Sequence, residues 1–242
     1  MSFNFLSSFG QKITHRTAQL YSNLMPIPCL LCGSDSSNEC LCQDCVHTLP
    51  TLEHACPRCA TPLEHTMICG QCLHHPPQQN SSFSLYLYQP PITRLIADLK
   101  YYDKLFLSRF FAGKMAKQLK DRPLPQLLIP IPLHPRRLRY RGYNQSLVLA
   151  KYLSALLTIP IGSDMLIRTR DTASQASLPY TQRKQNIQRA FKVNHNTLPS
   201  HVALIDDVLT TGHTADIAAK SLRQAGVDII DLWTIARTIR HY

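Results

Sequence analysis

Eight cysteines of this sequence stand in four Cys-x2-Cys pairs: Cys29 with Cys32, Cys42 with Cys45, Cys56 with Cys59, and Cys69 with Cys72. Two intervening residues let a tight turn aim both sulfurs at one ion. Two such pairs complete the tetrahedral set of four thiolates that zinc prefers. The last two pairs repeat the first two at an offset of 27 residues, and His47 and Pro50 recur at that offset as His74 and Pro77. The pattern is an internal duplication. Each copy is too short to bury a core of its own, so metal binding would supply much of its folding energy. Four thiolates leave no open coordination position, so both sites are expected to be structural Zn2+ sites. Iron–sulfur ligation and redox dithiols are the alternatives. Pairing in sequence order within each copy is expected, and cross-bracing between copies is the other arrangement the spacing permits. Cys40 has Met67 at its offset position and is read as a non-ligand. His47, His54, His65, His74 and His75 are read as solvated loop residues.

A second constellation runs from Val202 to Thr214. An apolar stretch delivers two adjacent acids, Asp206 and Asp207, and then Thr210, Thr211, Gly212, His213 and Thr214 open a helix. Successive N–H groups in such a turn, with the helix dipole behind them, make an anion cradle. Gly212 can take the positive φ the turn needs, and the threonines add hydroxyl donors. Carboxylates beside a phosphate cradle suit a ribose 5-phosphate, whose hydroxyls can donate to the acids. The competing reading is an ordinary strand–turn–helix with an N-cap threonine. No Gly-x4-Gly-Lys-Ser/Thr run exists, which excludes a P-loop ATPase.

A third constellation follows the apolar stretch 127–132. Arg136, Arg137, Arg139 and Arg141 fall within six residues, followed by Gly142, Tyr143 and Asn144. Guanidinium groups crowded at a strand end would concentrate positive field where a pyrophosphate or a DNA backbone could sit. The competing reading is a solvated basic turn. From Arg94 to Lys151 the chain carries 13 basic residues and 3 acids, interleaved with aromatics. Basic grooves with aromatic platforms hold single strands without sequence preference. Tyr140 and Tyr143 are the best stacking candidates, because Phe106, Phe110 and Phe111 lie on a helix and suit a core.

Hydrophobic periodicity and breakers give the elements that must position these groups. Strands are expected at 83–88, 127–132, 165–169, 201–206 and 229–236, and helices at 92–101, 104–120, 144–157 and 214–225. Residues 170–190 are polar and poorly patterned. Strands alternating with helices indicate a parallel α/β sheet, whose ligands bind beyond the carboxyl ends of the strands.

The chain has 242 residues and a formal net charge of +11, but the halves differ. Residues 1–80 hold all nine cysteines and a net −2, whereas residues 81–242 hold none and a net +13. The boundaries expected are an N-terminal helix at 1–26, a double zinc-ribbon domain at 27–77 and an α/β domain at 83–242, with Pro76-Pro77 and a polar run between the last two. The first 26 residues are read as a helix packing on its own protein, with a partner or membrane face as the alternative. No run of about 18 apolar residues reads as a membrane span, and no signal peptide is read. Clustered cysteines point to the reducing cytosol.

The stretch 202–214 resembles the PRPP loop of type I phosphoribosyltransferases, which bind 5-phosphoribosyl-1-pyrophosphate. The whole chain from Cys29 onward is similar to the ComF family of DNA-uptake proteins associated with natural competence. The residues that carry this likeness are the Cys-x2-Cys pairs, Pro-Leu-His-Pro-Arg-Arg-Leu-Arg-Tyr-Arg-Gly-Tyr-Asn-Gln at 132–145, Gln-Arg-Lys-Gln-Asn at 182–186 with Ala190-Phe191, and the 202–214 loop. The resemblance implies a type I phosphoribosyltransferase-like parallel sheet with helices on both faces, preceded by a small double zinc ribbon. It implies that Asp206 and Asp207 hold ribose hydroxyls while Thr210, Thr211, Gly212, His213 and Thr214 wrap a 5′-phosphate. Arg136, Arg137, Arg139, Arg141 and Tyr143, with Arg183 and Lys184 in a lid-like segment, would then face pyrophosphate or the DNA backbone. The expected function is handling of incoming single-stranded DNA on the cytosolic side of the inner membrane, with translocation machinery as a partner and PRPP, with Mg2+, as the small ligand. An active phosphoribosyltransferase with an unidentified acceptor is the alternative. Thr210 stands where purine-salvage relatives carry an aspartate that serves the base, which counts against purine salvage.

Overall fold

The computed structural model describes residues 28–36, 40–169, 190–194 and 197–239. The expected N-terminal helix, most of the lid-like segment, and Arg183 and Lys184 lie outside the described residues. The chain forms two compact units, residues 1–49 and 50–242.

In the first unit the Cys29–Cys32 knuckle turns at Gly33, whose φ is +79°, with Gly33 N donating to Cys29 O at 2.9 Å and Cys29 N to Ser34 O at 2.7 Å. The second pair straddles the start of α1 (Gln43–His47), with Cys42 as its N-cap. The duplication holds in three dimensions. In the second unit Ala60 N donates to Cys56 O at 2.8 Å and Cys56 N to Thr61 O at 2.9 Å, and Cys69 is the N-cap of α2 (Gly70–His74). Ala60, the counterpart of Gly33, keeps the positive φ at +51° despite its Cβ, and it is buried in the core.

The second unit continues with β1 (Ser81–Leu87), α3 (Ile92–Tyr101), α4 (Phe106–Leu119), β2 (Leu127–Pro130), α5 (Pro135–Arg141) and α6 (Gln145–Leu157). It closes with β3 (Leu166–Arg168), β4 (Phe191–Val193), β5 (His201–Leu209), α7 (His213–Gln224) and β6 (Ile229–Arg237). Four strands pair in the order β1-β6-β5-β2, all parallel. Such sheets bury both faces, so their strands read as near-continuous apolar runs. Val202, Leu204, Ile230 and Leu232 pack on Ala215, Ala218, Ala219 and Leu222 of α7. Ala203, Ile205, Trp233 and Ile235 point to the other face by the strand's two-residue period and are buried as well. α6 buries Leu149, Ala150 and Leu153 and packs on β2, β5 and α4.

Residues 50–59 lie along the edge of β1: Leu87 N donates to Pro50 O at 2.8 Å, Leu52 N to Leu85 O at 3.1 Å, and Ser82 N to Pro57 O at 2.8 Å. These bonds join the second ribbon to the α/β body in one unit.

Three local expectations change. The strand expected to end at Asp206 runs on to Leu209, because Val208 and Leu209 still pair with Ala236 and Arg237 of β6. The strand expected at 165–169 stands outside the parallel sheet, antiparallel to β4. The basic stretch after β2 is the helix α5, started by Pro135 with His134 as N-cap and ended by Gly142 at φ +82°.

Candidate functional site

The eight paired cysteines gather in sequence order into two clusters, Cys29/Cys32/Cys42/Cys45 and Cys56/Cys59/Cys69/Cys72, with the ligating atoms of each within 4.8 Å of one another. Four sulfurs about 2.3 Å from a tetrahedral zinc lie about 3.8 Å apart. The Cys32–Cys42 sulfurs are 3.6 Å apart and the Cys59–Cys69 sulfurs 3.7 Å, so both clusters fit the ion. Cys40 belongs to neither. The knuckle amides favour the thiolate at the first cysteine of each cluster, while Cys42, Cys45, Cys69 and Cys72 are raised by burial and neighbouring sulfurs. Burial works to raise the Cys56 thiol, but the N–H groups of Cys69, Cys59 and Arg58 outweigh it and bring it down to about 7. Cys29 is lowered to about 6 by the amides of Cys32, Cys42 and Leu31, again against burial. Closed sets of four thiolates suit two structural zinc sites. Among the described residues no third cluster of three or more ligating side chains occurs.

At the carboxyl end of the sheet, β5 carries Asp206 and Asp207 inside the strand, and the turn 210–212 leads into α7 with Gly212 as N-cap at φ +80°. Gly212 offers no side chain to cap that helix. His213 N approaches Thr211 Oγ1 at 3.4 Å. Thr210, Thr211 and His213 are exposed, and Gly212 and Thr214 half-buried. The five turn residues expected to act together are therefore contiguous at one helix start, two residues beyond the acid pair.

The acids have partners that sequence reading missed. Lys100, at the end of α3, puts its ammonium 2.5 Å from Asp207 Oδ2. Ser146, in the first turn of α6, donates to Asp206 Oδ1 at 3.0 Å, as does Asp207 N at 2.9 Å. Burial and the Asp207 carboxylate raise the Asp206 carboxyl to about 7, against the Asp207 N–H, Lys100 and Ser146, which favour the ionised form. Arg237, 2% exposed at the end of β6, donates to Leu209 O at 2.9 Å and to Thr210 O, bracing the turn from below. A charged residue closing an apolar strand was its signal. Lys100 and Ser146 left none, because their contacts join residues far apart in the chain.

The basic segment starts beside the same place. Ile131 N bonds to Ile205 O at 2.9 Å, and Asn144, the N-cap of α6, donates to Ile131 O at 3.1 Å. The segment therefore leaves the sheet next to β5 and returns there. Arg136, Arg137 and Arg139 are exposed, and Tyr140 is 89% exposed. Arg141 is half-buried, donating to Gln145 Oε1 at 2.7 Å with its guanidinium 5.0 Å from the ring centre of Tyr101. Tyr143 is half-buried as well, and its hydroxyl donates to Leu99 O. The structure ties Tyr143 down, leaves Tyr140 open and exposes Tyr101 with Arg141 over one face of its ring.

A cleft of about 500 Å3 lies between the second ribbon and the turn, lined in part by Cys72, His75, Pro77, Gln79, His213 and Arg237. Among the described residues no helix is long and apolar enough to cross a membrane.

Comparison with known proteins matches residues 20–73 to the double zinc ribbon domain family. Competence protein F of Haemophilus influenzae is 33% identical over 207 residues, covering 81% of this chain and 90% of the relative. The DNA utilization protein YhgH of Escherichia coli is 32% identical over 206 residues, covering 82% and 91%. A solved structure of the glutamine PRPP amidotransferase of B. subtilis aligns at 18% identity and a TM-score of 0.37, over 52% of this chain and 26% of that one.

Proposed function

Since this chain belongs to the ComF family of competence proteins, we propose that it handles single-stranded DNA during DNA uptake and carries a pocket for PRPP or a related ribose phosphate. One observation carries the reading. The acid pair, the glycine-capped start of α7 and the arginine helix converge at the carboxyl ends of the adjacent strands β5 and β2. Open parallel sheets take their ligands in that position.

In this reading the amides and hydroxyls of 210–214 take a 5′-phosphate, aided by the dipole of α7. An ionised Asp206 accepts from a ribose hydroxyl, and Asp207, neutralised by Lys100, holds the strand end in place. Arg136, Arg137 and Arg139 meet the phosphates of a strand, and Tyr140 and Tyr101 offer ring faces to its bases. Arg183 and Lys184 would join from the segment outside the described residues. Both zinc sites are structural. The DNA-translocation machinery is the protein partner in this reading, met on the cytosolic face of the inner membrane.

The test is to titrate the zinc-loaded protein with PRPP and with single-stranded DNA, each in the presence and absence of the other. Both should bind, and each should change the affinity of the other because they approach one strand-end face. DNA binding that is indifferent to Arg136→Ala, Arg137→Ala and Arg139→Ala made together would sink the DNA assignment. PRPP binding unaltered by Asp206→Asn with Asp207→Asn would sink the pocket.

A second reading, transfer of the ribosyl phosphate to an acceptor, is favoured by the cleft of about 500 Å3 beside Thr211, Gly212 and His213. That volume suits a small-molecule acceptor. Pyrophosphate release from PRPP with a panel of bases tests it, and no release with any of them would leave a binding pocket alone.

A further inference from the structure

The guanidinium of Arg237 faces two ways. Toward the second cysteine cluster, Nε donates to Cys59 O at 3.0 Å and Nη2 to Thr61 Oγ1 at 3.3 Å. The Thr61 oxygen in turn lies 3.1 Å from Cys59 Sγ, one of the four clustered sulfurs. Toward the turn, Nη1 donates to Leu209 O at 2.9 Å and to Thr210 O. A continuous set of contacts therefore runs from a metal-ligating thiolate through Thr61 and Arg237 to the first residue of the phosphate turn.

Arginine suits this position because its donors form a rigid planar fork, so carbonyls held on both sides cannot shift independently. The knuckle that supplies Cys59 O and Thr61 Oγ1 already packs on the sheet through Ala60 and the bonds to β1, and metal on its two thiolates would fix the remaining freedom of its turn. We infer that Arg237 is a positioning residue coupling metal on Cys56, Cys59, Cys69 and Cys72 to the geometry of the turn at Thr210, so that metal at this cluster and a phosphate ligand on the turn strengthen each other. Linkage makes the effect reciprocal: whatever factor the metal adds to ligand affinity, the ligand adds to metal affinity. The ligand half rests on the phosphate-binding role proposed above, while the metal-to-turn half does not. The first cluster lies in the other compact unit and serves as an internal control.

The experiment uses the full-length zinc-loaded protein, with ribose 5-phosphate as the probe. Hydrogen exchange of residues 208–214 and metal release to a chromogenic chelator are followed together. Partners that orient metal ligands are worth about 10–100-fold in metal affinity. Thr61→Val, which removes the relay while keeping side-chain volume, should weaken metal at the second cluster by about 10-fold, leave the first unchanged, and speed exchange at 210–212. Arg237→Lys, which keeps the charge and loses the fork, should do the same. In the wild type, and in a Cys32→Ser variant that keeps only the second cluster intact, ribose 5-phosphate should slow metal release from Cys56, Cys59, Cys69 and Cys72, and it should leave release from the first cluster unchanged. Turn exchange indifferent to metal removal and to both variants overturns the coupling, whether or not the probe binds. A probe that binds and slows release from both clusters equally, or from neither, overturns it as well. A probe that fails to bind while exchange at the turn still follows the metal sinks the ligand proposal and supports the coupling.

Discussion

Lys100→Met is the most direct test of how the acid pair is held. The ammonium lies 2.5 Å from Asp207 Oδ2, with the aspartate side chain 7% exposed and the lysine 19%. Removing one partner of a fully buried pair costs about 3–5 kcal/mol, because a charge is left without compensation. Exposed pairs are worth about 0–1 kcal/mol. The partial exposure of the lysine lets water screen the carboxylate, which sets the expected loss at about 2–3 kcal/mol, below the fully buried range. For a unit of this size each kcal/mol moves Tm by about 2–4 °C, so the variant should melt roughly 4–12 °C below the wild type. Lys100→Met combined with Asp207→Asn should recover most of that loss, since the double variant buries no unpaired charge. Urea denaturation of wild type, both single variants and the double variant at pH 7.5 gives the coupling through a double-mutant cycle. A Lys100→Met deficit under about 0.5 kcal/mol, within the range of ordinary surface substitutions, would refute the argument. So would a double variant no more stable than Lys100→Met alone.

The remaining predictions address charge, protonation and metal. Changing Arg136, Arg137 and Arg139 to Ala should flatten the log–log salt dependence of single-strand affinity by about 0.7 for each phosphate no longer neutralised, measured by fluorescence anisotropy across a salt series. The folded-state value of Asp206 is raised to about 7, so its contribution to stability is present below the unfolded carboxylate value and is lost as pH rises toward 7. Asp206→Asn should therefore leave Tm near that of the wild type in acid and exceed it increasingly up to pH 7–8, in thermal melts across that range; a constant difference would contradict the assignment. Metal analysis should find two zinc ions per chain, still two in Cys40→Ser and one in Cys72→Ser. Loss of a zinc in Cys40→Ser would place Cys40 among the ligands.

Much of the molecule was legible in its sequence, for local reasons. The offset of 27 residues announced two equivalent ribbons, because ligand spacing within a knuckle is set by one tight turn. Helix α3 falls on its expected residues, since its apolar stripe and opening prolines are local features. The turn before α7 follows from Gly212 and its neighbours. Strand ends were less readable. Whether β5 stops at Asp206 or at Leu209 depends on what β6 offers beside it, and Ala236 and Arg237 extend the pairing. The arginine run showed its charge in the sequence, but its form as a helix rests on Pro135, His134 and Gly142 acting together.

The sequence by itself therefore determined the four Cys-x2-Cys knuckles, the parallel α/β class and the two motifs that meet at the strand ends, because each is written in short-range spacing or periodicity, whereas the grouping of the knuckles in sequence order was decided by the fold. Only the tertiary structure decided that Lys100 neutralises Asp207, that Ser146 supports Asp206, that Tyr143 is tied to Leu99, and that Arg237 joins the second ribbon to the turn at Thr210. Each of these pairs joins residues far apart in the chain. Folding brings them together, and no local pattern encodes which distant partner a single charge or hydroxyl will meet.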